Sequence, residues 1–187
     1  MIVLNAKIFQ QKIAPALKES LGLKNIHQVP RIVKVSLNAG LGKGLKDARF
    51  TEAVEATLTR ISGQKPVKTL AKKSISTFKI RQGMPVGMIV TLRGKRMWHF
   101  LEKLVALSFP RVRDFRGIQE SCVDKQGNFS YGFREQLAFP EVSPEEGDIS
   151  VGLQVNVTTT ATSHEQGMEL FRALGVPFVA KSGKGNK

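Results

Sequence analysis

Three segments of this chain alternate in polarity, and that alternation limits the folds open to it more than any other feature. Between Arg31 and Asn38, the residues Val33, Val35 and Leu37 alternate with Lys34, Ser36 and Asn38. From Val86 to Arg93, Val86, Met88, Val90 and Leu92 fall on one side, and Ile89, Thr91 and Arg93 on the other. From Ser150 to Thr158, Val151, Leu153, Val155 and Val157 alternate with polar residues that include Gln154 and Asn156. Successive side chains of a strand point to opposite faces, so each segment reads as a strand with one buried and one wetted face. A parallel sheet covered on both sides would show continuous apolar runs instead. The expected class is α+β: a mainly antiparallel sheet, helices packed on one face, and an open polar face. Shorter strands are expected at Pro66 to Leu70 and near Phe129 to Phe133.

Helical periodicity supplies the covering layer. The first 22 residues place Phe9, Ile13, Ala16 and Leu17 on one stripe, with Pro15 expected to end or kink the helix. Asp47 can cap a helix carrying Phe50, Val54, Thr57, Leu58 and Ile61, which Gly63 stops. A third helix runs from about Lys95 to Ser108, with Met97, Phe100, Leu101, Leu104 and Val105 as its core stripe, and ends before Pro110. The last helix starts at a capping box, Thr162 with Glu165 or Ser163 with Gln166, and ends at Gly175 and Pro177. Neither a repeat nor an interdomain linker is evident, so residues 1–180 read as one domain and 181–187 as a disordered basic tail.

Charge decides the partner class. The chain of 187 residues carries a formal net charge of +14. Residues 60–116 hold fourteen Lys and Arg against Glu102 and Asp114 alone, whereas residues 117–180 hold nine acidic residues against Lys125, Arg134 and Arg172. A basic block followed by an acidic one implies a binding face and a non-binding face, and nucleic acid is the expected partner. No apolar run approaches the roughly 20 residues a spanning helix needs, and the N-terminus shows no signal-peptide pattern. The chain therefore reads as cytoplasmic, with no membrane partner. Cys122 is the single cysteine, which excludes an internal disulfide and a multi-thiolate metal site.

Catalysis finds no support. His27, His99 and His164 are scattered, with no second ligand at metal-binding spacing. Gly40, Gly42 and Gly44, with Lys43, follow a strand and precede a helix, the setting of a phosphate loop. Their spacing matches neither G-x-G-x-x-G, because Leu45 stands at the third position, nor G-x-x-x-x-G-K-[ST]. A tight turn allowing close RNA approach fits better than a nucleotide site. No cofactor, metal or catalytic residue is expected. Two rival classes remain, a nucleotide-handling enzyme at Gly40 to Gly44 and a polyanion or membrane-surface binder acting by charge alone.

The segment Lys72 to Pro85 joins two strands but is too long for a simple turn, and long loops in compact domains tend to be functional or disordered. It carries Lys72, Lys73, Lys79 and Arg81 with Ser74, Ser76 and Thr77. It reads as a mobile cationic finger that contacts RNA backbone. Arg111, Arg113 and Arg116 surround Asp114 and Phe115 and offer further bidentate phosphate contacts. Alternatively, Asp114 pairs internally with one of them, and the two readings are compatible.

Several ordered motifs then make a resemblance specific: Val29-Pro30-Arg31, Leu37-Asn38-Ala39-Gly40, Gly63-Gln64-Lys65-Pro66, Ala71-Lys72-Lys73-Ser74-Ile75 and Phe78-Lys79-Ile80-Arg81. Gly83-Met84-Pro85, Thr91-Leu92-Arg93-Gly94, the run from Phe109 to Gly117, Glu135-Gln136 and Phe139-Pro140-Glu141 follow. Over nearly its whole length the chain closely resembles the family of bacterial large-subunit ribosomal protein five, the 5S rRNA-binding proteins. That resemblance implies attachment of 5S rRNA to the central protuberance of the large subunit, contact with 23S rRNA and with other central-protuberance proteins, and a bridge to a small-subunit head protein. It also implies that Asn38, Gln64 and Thr91 hydrogen-bond 5S rRNA, with Lys34, Lys65 and Arg93 on the same surface. The loop Lys72 to Pro85, through Lys72, Lys73, Ser74, Thr77, Lys79, Arg81 and Gln82, matches the part that reaches peptidyl-site tRNA. The chain departs from the family pattern at Lys43 and in Asp148 to Gly152, which bears on contacts at those edges.

Overall fold

A computed structural model describes residues 6–44, 47–142 and 151–179. Five strands form one antiparallel sheet: β1 (Ile32–Gly40), β2 (Val67–Leu70), β3 (Pro85–Leu92), β4 (Phe129–Phe133) and β5 (Leu153–Thr159), in the order β2-β3-β1-β5-β4. The helices are α1 (Ala6–Ile8), α2 (Ala14–Ser20), α3 (Ala48–Ser62), α4 (Gly94–Lys103) and α5 (His164–Ala173). The α+β class with an antiparallel sheet is therefore observed.

Register explains why one face is buried. Directly paired residues point to the same side, so the rows Leu92–Val35–Val157–Phe129 and Met88–Ala39–Leu153–Phe133 each present a continuous apolar line. These residues share one core with Val54, Leu58 and Ile61 of α3, Met97, Phe100 and Leu101 of α4, and Met168, Leu170 and Phe171 of α5. Aromatic packing closes the β4 end, where Phe133 meets Phe109 and Phe139 at centroid distances of 5.9 and 5.0 Å.

The helix caps follow the expected chemistry. Asp47 accepts from the Arg49 amide at 2.9 Å, and α3 stops at Gly63, whose φ of 66° is a left-handed conformation that glycine adopts without a Cβ penalty. At α5 the cap is Ser163, which accepts from the Gln166 amide. The Gln166 side chain accepts in turn from the Thr162 amide.

Four expectations need correction. Val33 is not in the core: a bulge between Ile32 and Lys34 shifts the register, so Ile32 is buried and Val33 is 39% exposed. Ala16 is exposed and Ala14 buried, because a π turn at Phe9–Ile13 precedes Pro15 and rotates the stripe by a residue. That turn also lets the helix pass Pro15, which falls in the first turn of α2. The third helix does not end in a plain stop. Leu104–Ser108 widen into a π turn, and Phe109–Arg111 continue as a 3₁₀ turn through Pro110. The fifth strand starts at Leu153, with Val151 buried outside the ladder. Ser150, the Asp148 end of the divergent stretch and the tail 181–187 lie outside the described residues.

Candidate nucleic-acid interface

The same register builds the outer face. Ile89, Asn38, Gln154 and Gly132 form one row, and Thr91, Ser36, Asn156 and Ser130 the next. Lys34 pairs with Thr158 beyond them. Among the described residues no helix covers these rows, and they carry amides and hydroxyls but no aromatic ring. Asn38, Ser36, Thr91 and Asn156 are half-buried. Among the described residues the side chains of Asn38, Ser36 and Asn156 make no protein hydrogen bond, which leaves their donors and acceptors to a partner or to water. At the rim, Gly40 and Gly132 have open space where a side chain would stand, so a ligand backbone can approach closely.

Asn38, Gln64 and Thr91, which the family resemblance implies share one site, lie close together in the fold. Asn38 stands diagonal to Thr91 across β1 and β3, a separation of roughly 7 Å. Gln64 lies past the end of α3, and its Nε2 donates to the Thr91 carbonyl at 3.4 Å. Lys34 is half-buried on the same face, while Arg93 is exposed just beyond β3. Lys65 is exposed and faces α3 instead, 3.8 Å from Glu55, which also pairs with Lys68 at 3.1 Å. The sequence reading left Ser36 and Ser130 out of the site. Their membership depends on cross-strand register, which alternation within one strand does not reveal.

The segment after β2 is a folded extension of the β2–β3 hairpin. Ala71 donates to the Met84 carbonyl at 2.8 Å, and Gly83 to Ala71 at 3.0 Å. Ile75 and Ile80 exchange both backbone hydrogen bonds, at 2.9 and 3.1 Å, and the Ser74 hydroxyl accepts from the Gln82 amide at 2.9 Å. Lys72, Lys73, Lys79 and Arg81 are all exposed, and among the described residues none is ion-paired. No acidic residue occurs between Glu55 and Glu102, so nothing nearby in sequence neutralises them. Thr77 and Gln82 are exposed beside them.

Arg111, Arg113 and Arg116 are exposed, the first two close to β4. Arg111 and Arg113 line an open cavity of about 490 Å³ with Tyr131, Arg134 and Glu135. Among the described residues Asp114 pairs with none of the three arginines, so the internal-pairing alternative is not realised there. Gly132 of the open face lines the same cavity, so Arg111 and Arg113 stand at the β4 edge of the sheet rather than beside Asn38 and Thr91. No group of His, Cys, Asp or Glu suited to a metal ion occurs among the described residues. Burial raises the pKa of the Cys122 thiol, which keeps it in its unreactive protonated form.

Comparison with known proteins covers the five-stranded sheet and the helices from α3 onward. Residues 25–81 match a family described as ribosomal protein L5, and residues 85–178 match the C-terminal part of that same ribosomal family. The chain is 49% identical over 170 residues to the large ribosomal subunit protein uL5 of Microcystis aeruginosa, covering 91% of this chain and 95% of that protein. It is 49% identical over 171 residues to the protein of the same name from Synechocystis, covering 91% and 95%. With that of Symbiobacterium thermophilum it shares 47% over 173 residues, covering 92% and 96%.

Proposed function

Because this chain belongs to the ribosomal protein L5 family, and is thus a non-enzymatic structural constituent of the cytoplasmic large ribosomal subunit, we propose that its open sheet face binds 5S rRNA and its β2–β3 hairpin contacts peptidyl-site tRNA. The observation that carries the first half is the cluster of half-buried, unpartnered amide and hydroxyl groups around Asn38 and Thr91. A-form RNA presents 2′-hydroxyls and base edges across a wide, shallow minor groove, and neutral donors and acceptors on a flat surface suit that target. Charge alone would suit any polyanion. The unpaired cations of the hairpin suit phosphates, which position a partner without specifying it.

In this reading Asn38, Gln64 and Thr91 are the specific contacts, and Lys34 and Arg93 add electrostatic support, whereas Lys65, turned toward Glu55, would have to leave that ion pair to join them. Arg111, Arg113 and Arg116 meet other RNA backbone, such as 23S rRNA, beyond the β4 edge of the sheet. Neighbouring central-protuberance proteins and a small-subunit head protein complete the set of partners.

The test is 5S rRNA binding over a salt series. Asn38→Ala and Thr91→Ala each weaken binding by roughly 1 to 3 kcal/mol, by leaving buried polar groups unpaired in the complex. Lys79→Ala and Arg81→Ala leave 5S rRNA affinity largely intact while impairing the contact with tRNA. Equal loss of 5S rRNA affinity in both groups would overturn the division. A protein acting by charge alone would lose its preference for 5S rRNA over heparin as salt rises.

A further inference from the structure

We propose that Phe78 is a base-stacking residue, presented at the tip of the β2–β3 hairpin to cover a nucleobase that stands out of its stack in an RNA partner. The proposal rests on the reading that this hairpin meets RNA, and it adds a contact that phosphate attraction does not supply.

The chain has eleven phenylalanines, and ten of them are buried in the core or packed against it. Phe78 is the exception, with 65% of its surface exposed and no ring contact among the described residues. Phenylalanine is among the residues most often buried, so an exposed ring with no ring partner on a hydrogen-bonded turn calls for an explanation outside the fold. The ring is not carried on a slack loop. The two Ile75–Ile80 hydrogen bonds and a further one from the Lys79 amide to the Ser76 carbonyl, at 2.9 Å, close the turn on which it sits. Lys79 next to it has a φ of 54°, a left-handed conformation that glycine would adopt freely. The tip thus keeps an exposed ring and a strained cation side by side where small turn residues would cost less.

The chemistry around the ring selects the ligand. Lys79 and Arg81 follow it in sequence, Lys72 and Lys73 stand on the opposite arm of the hairpin, and no carboxylate is close in sequence. Ile75, 44% exposed, is the other large apolar side chain exposed on this turn, with Leu70 and Val67 further down on β2, and ring and isoleucine together offer too little apolar area at the tip to seat a protein helix or enter a lipid surface. The ring does match the recurring design of proteins that bind unpaired nucleic acid, in which an aromatic face covers a base while cations follow the backbone.

The experiment uses the full chain and tRNA transcripts carrying 5-iodouridine or 5-iodocytidine, which crosslink under ultraviolet light to a stacked aromatic ring. The expected crosslink maps by mass spectrometry to Phe78, persists in Phe78→Tyr and disappears in Phe78→Leu. Affinity for tRNA falls about ten-fold in Phe78→Leu, while the slope against salt stays unchanged because no charge is altered. Since the side chain is exposed, these variants fold as the parent does. Stacking is refuted if crosslinks map elsewhere, or if Phe78→Leu binds as tightly as the parent while Lys79→Ala still weakens binding. If Lys79→Ala and Arg81→Ala also leave tRNA binding unchanged, the hairpin reading itself fails as well.

Discussion

Gln64 and Thr91, 27 residues apart in sequence, are joined by a hydrogen bond from the Gln64 side-chain amide to the Thr91 backbone carbonyl. The reason lies in the sheet. β2 begins at Val67, opposite Ile89, so its ladder with β3 stops two residues short of Thr91. Gln64 takes over the carbonyl that a longer β2 would have paired. Its amide nitrogen is thereby committed to the protein, and its oxygen stays available as an acceptor at the edge of the open face.

Gln64 therefore has two roles that substitution can separate. Gln64→Ala should lower stability by about 1 kcal/mol, since a partly exposed carbonyl loses its partner, and should also weaken 5S rRNA binding. Gln64→Glu should do more harm to both, because an ionised carboxylate can only accept and would oppose both the carbonyl and RNA phosphates. Thermal melts and filter binding on the same preparations provide the comparison. A Gln64→Glu protein that melts and binds as the parent does would remove the hydrogen bond from the argument.

Lys79 offers a sharper separation of stability from function. Its left-handed backbone costs roughly 1 kcal/mol relative to glycine, so Lys79→Gly should leave the hairpin as stable or more so. Protection of the Ile75 and Ile80 amides from hydrogen exchange should be kept or increased. Contact with tRNA should nevertheless weaken, because a flanking cation is gone. Loss of amide protection in Lys79→Gly would mean that the lysine side chain, rather than the turn geometry, holds the tip.

Much of this was legible in the sequence. Alternation in β1, β3 and β5 gave the one-sided sheet, and the family resemblance named Asn38, Gln64 and Thr91, which the fold places close together. What stayed hidden depended on long-range geometry. The bulge that exchanges Ile32 for Val33 arises from pairing with β5, and the π turn that exchanges Ala14 for Ala16 comes from fitting Pro15 into a continuous helix. Placement of Ser36 and Asn156 beside Thr91 required the register of strands far apart in sequence. The hairpin's internal hydrogen bonds were equally invisible, because its composition reads the same whether it is folded or slack.

The acidic half of the chain contributes a pH dependence through Asp124. Its carboxylate accepts from the amides of Gln126 and Asn128, at 2.9 and 2.7 Å, and from the Asn128 side chain at 3.0 Å. Burial pushes its pKa up, but the hydrogen bonds from Asn128, Gln126 and Gly127 together outweigh that and hold the carboxyl below its ordinary value. A depressed folded-state pKa adds stability above the unfolded value, about 4, and that contribution vanishes as pH falls through the folded value. Asp124→Ala should therefore lower the unfolding midpoint at pH 7, with the difference from the parent shrinking in acid. A difference that stays constant down to full protonation would exclude the carboxylate as its source.

The motif Phe139-Pro140-Glu141 acquires a structural role at Lys103, and the final prediction follows from it. Lys103 Nζ donates to Glu141 Oε1 and to the Ile61 carbonyl, each at 2.6 Å, and lies 5.6 Å from the Phe100 ring centre. One ammonium thus ties α4, the C-terminal end of α3 and the segment after β4. It does so on the helical side of the molecule, opposite the polar sheet face. Lys103→Met keeps the aliphatic stem but leaves the carboxylate and the carbonyl without their donor, which should cost about 1 to 3 kcal/mol. Glu141→Leu removes the half-buried charge instead, so the double variant should be less destabilised than the sum of the singles. Below the melting transition, 5S rRNA affinity should match the parent in all three variants. Strict additivity in chemical denaturation would show that the pair contributes nothing beyond its separate contacts. A loss of RNA affinity in the folded state would place Lys103 in the interface rather than behind it.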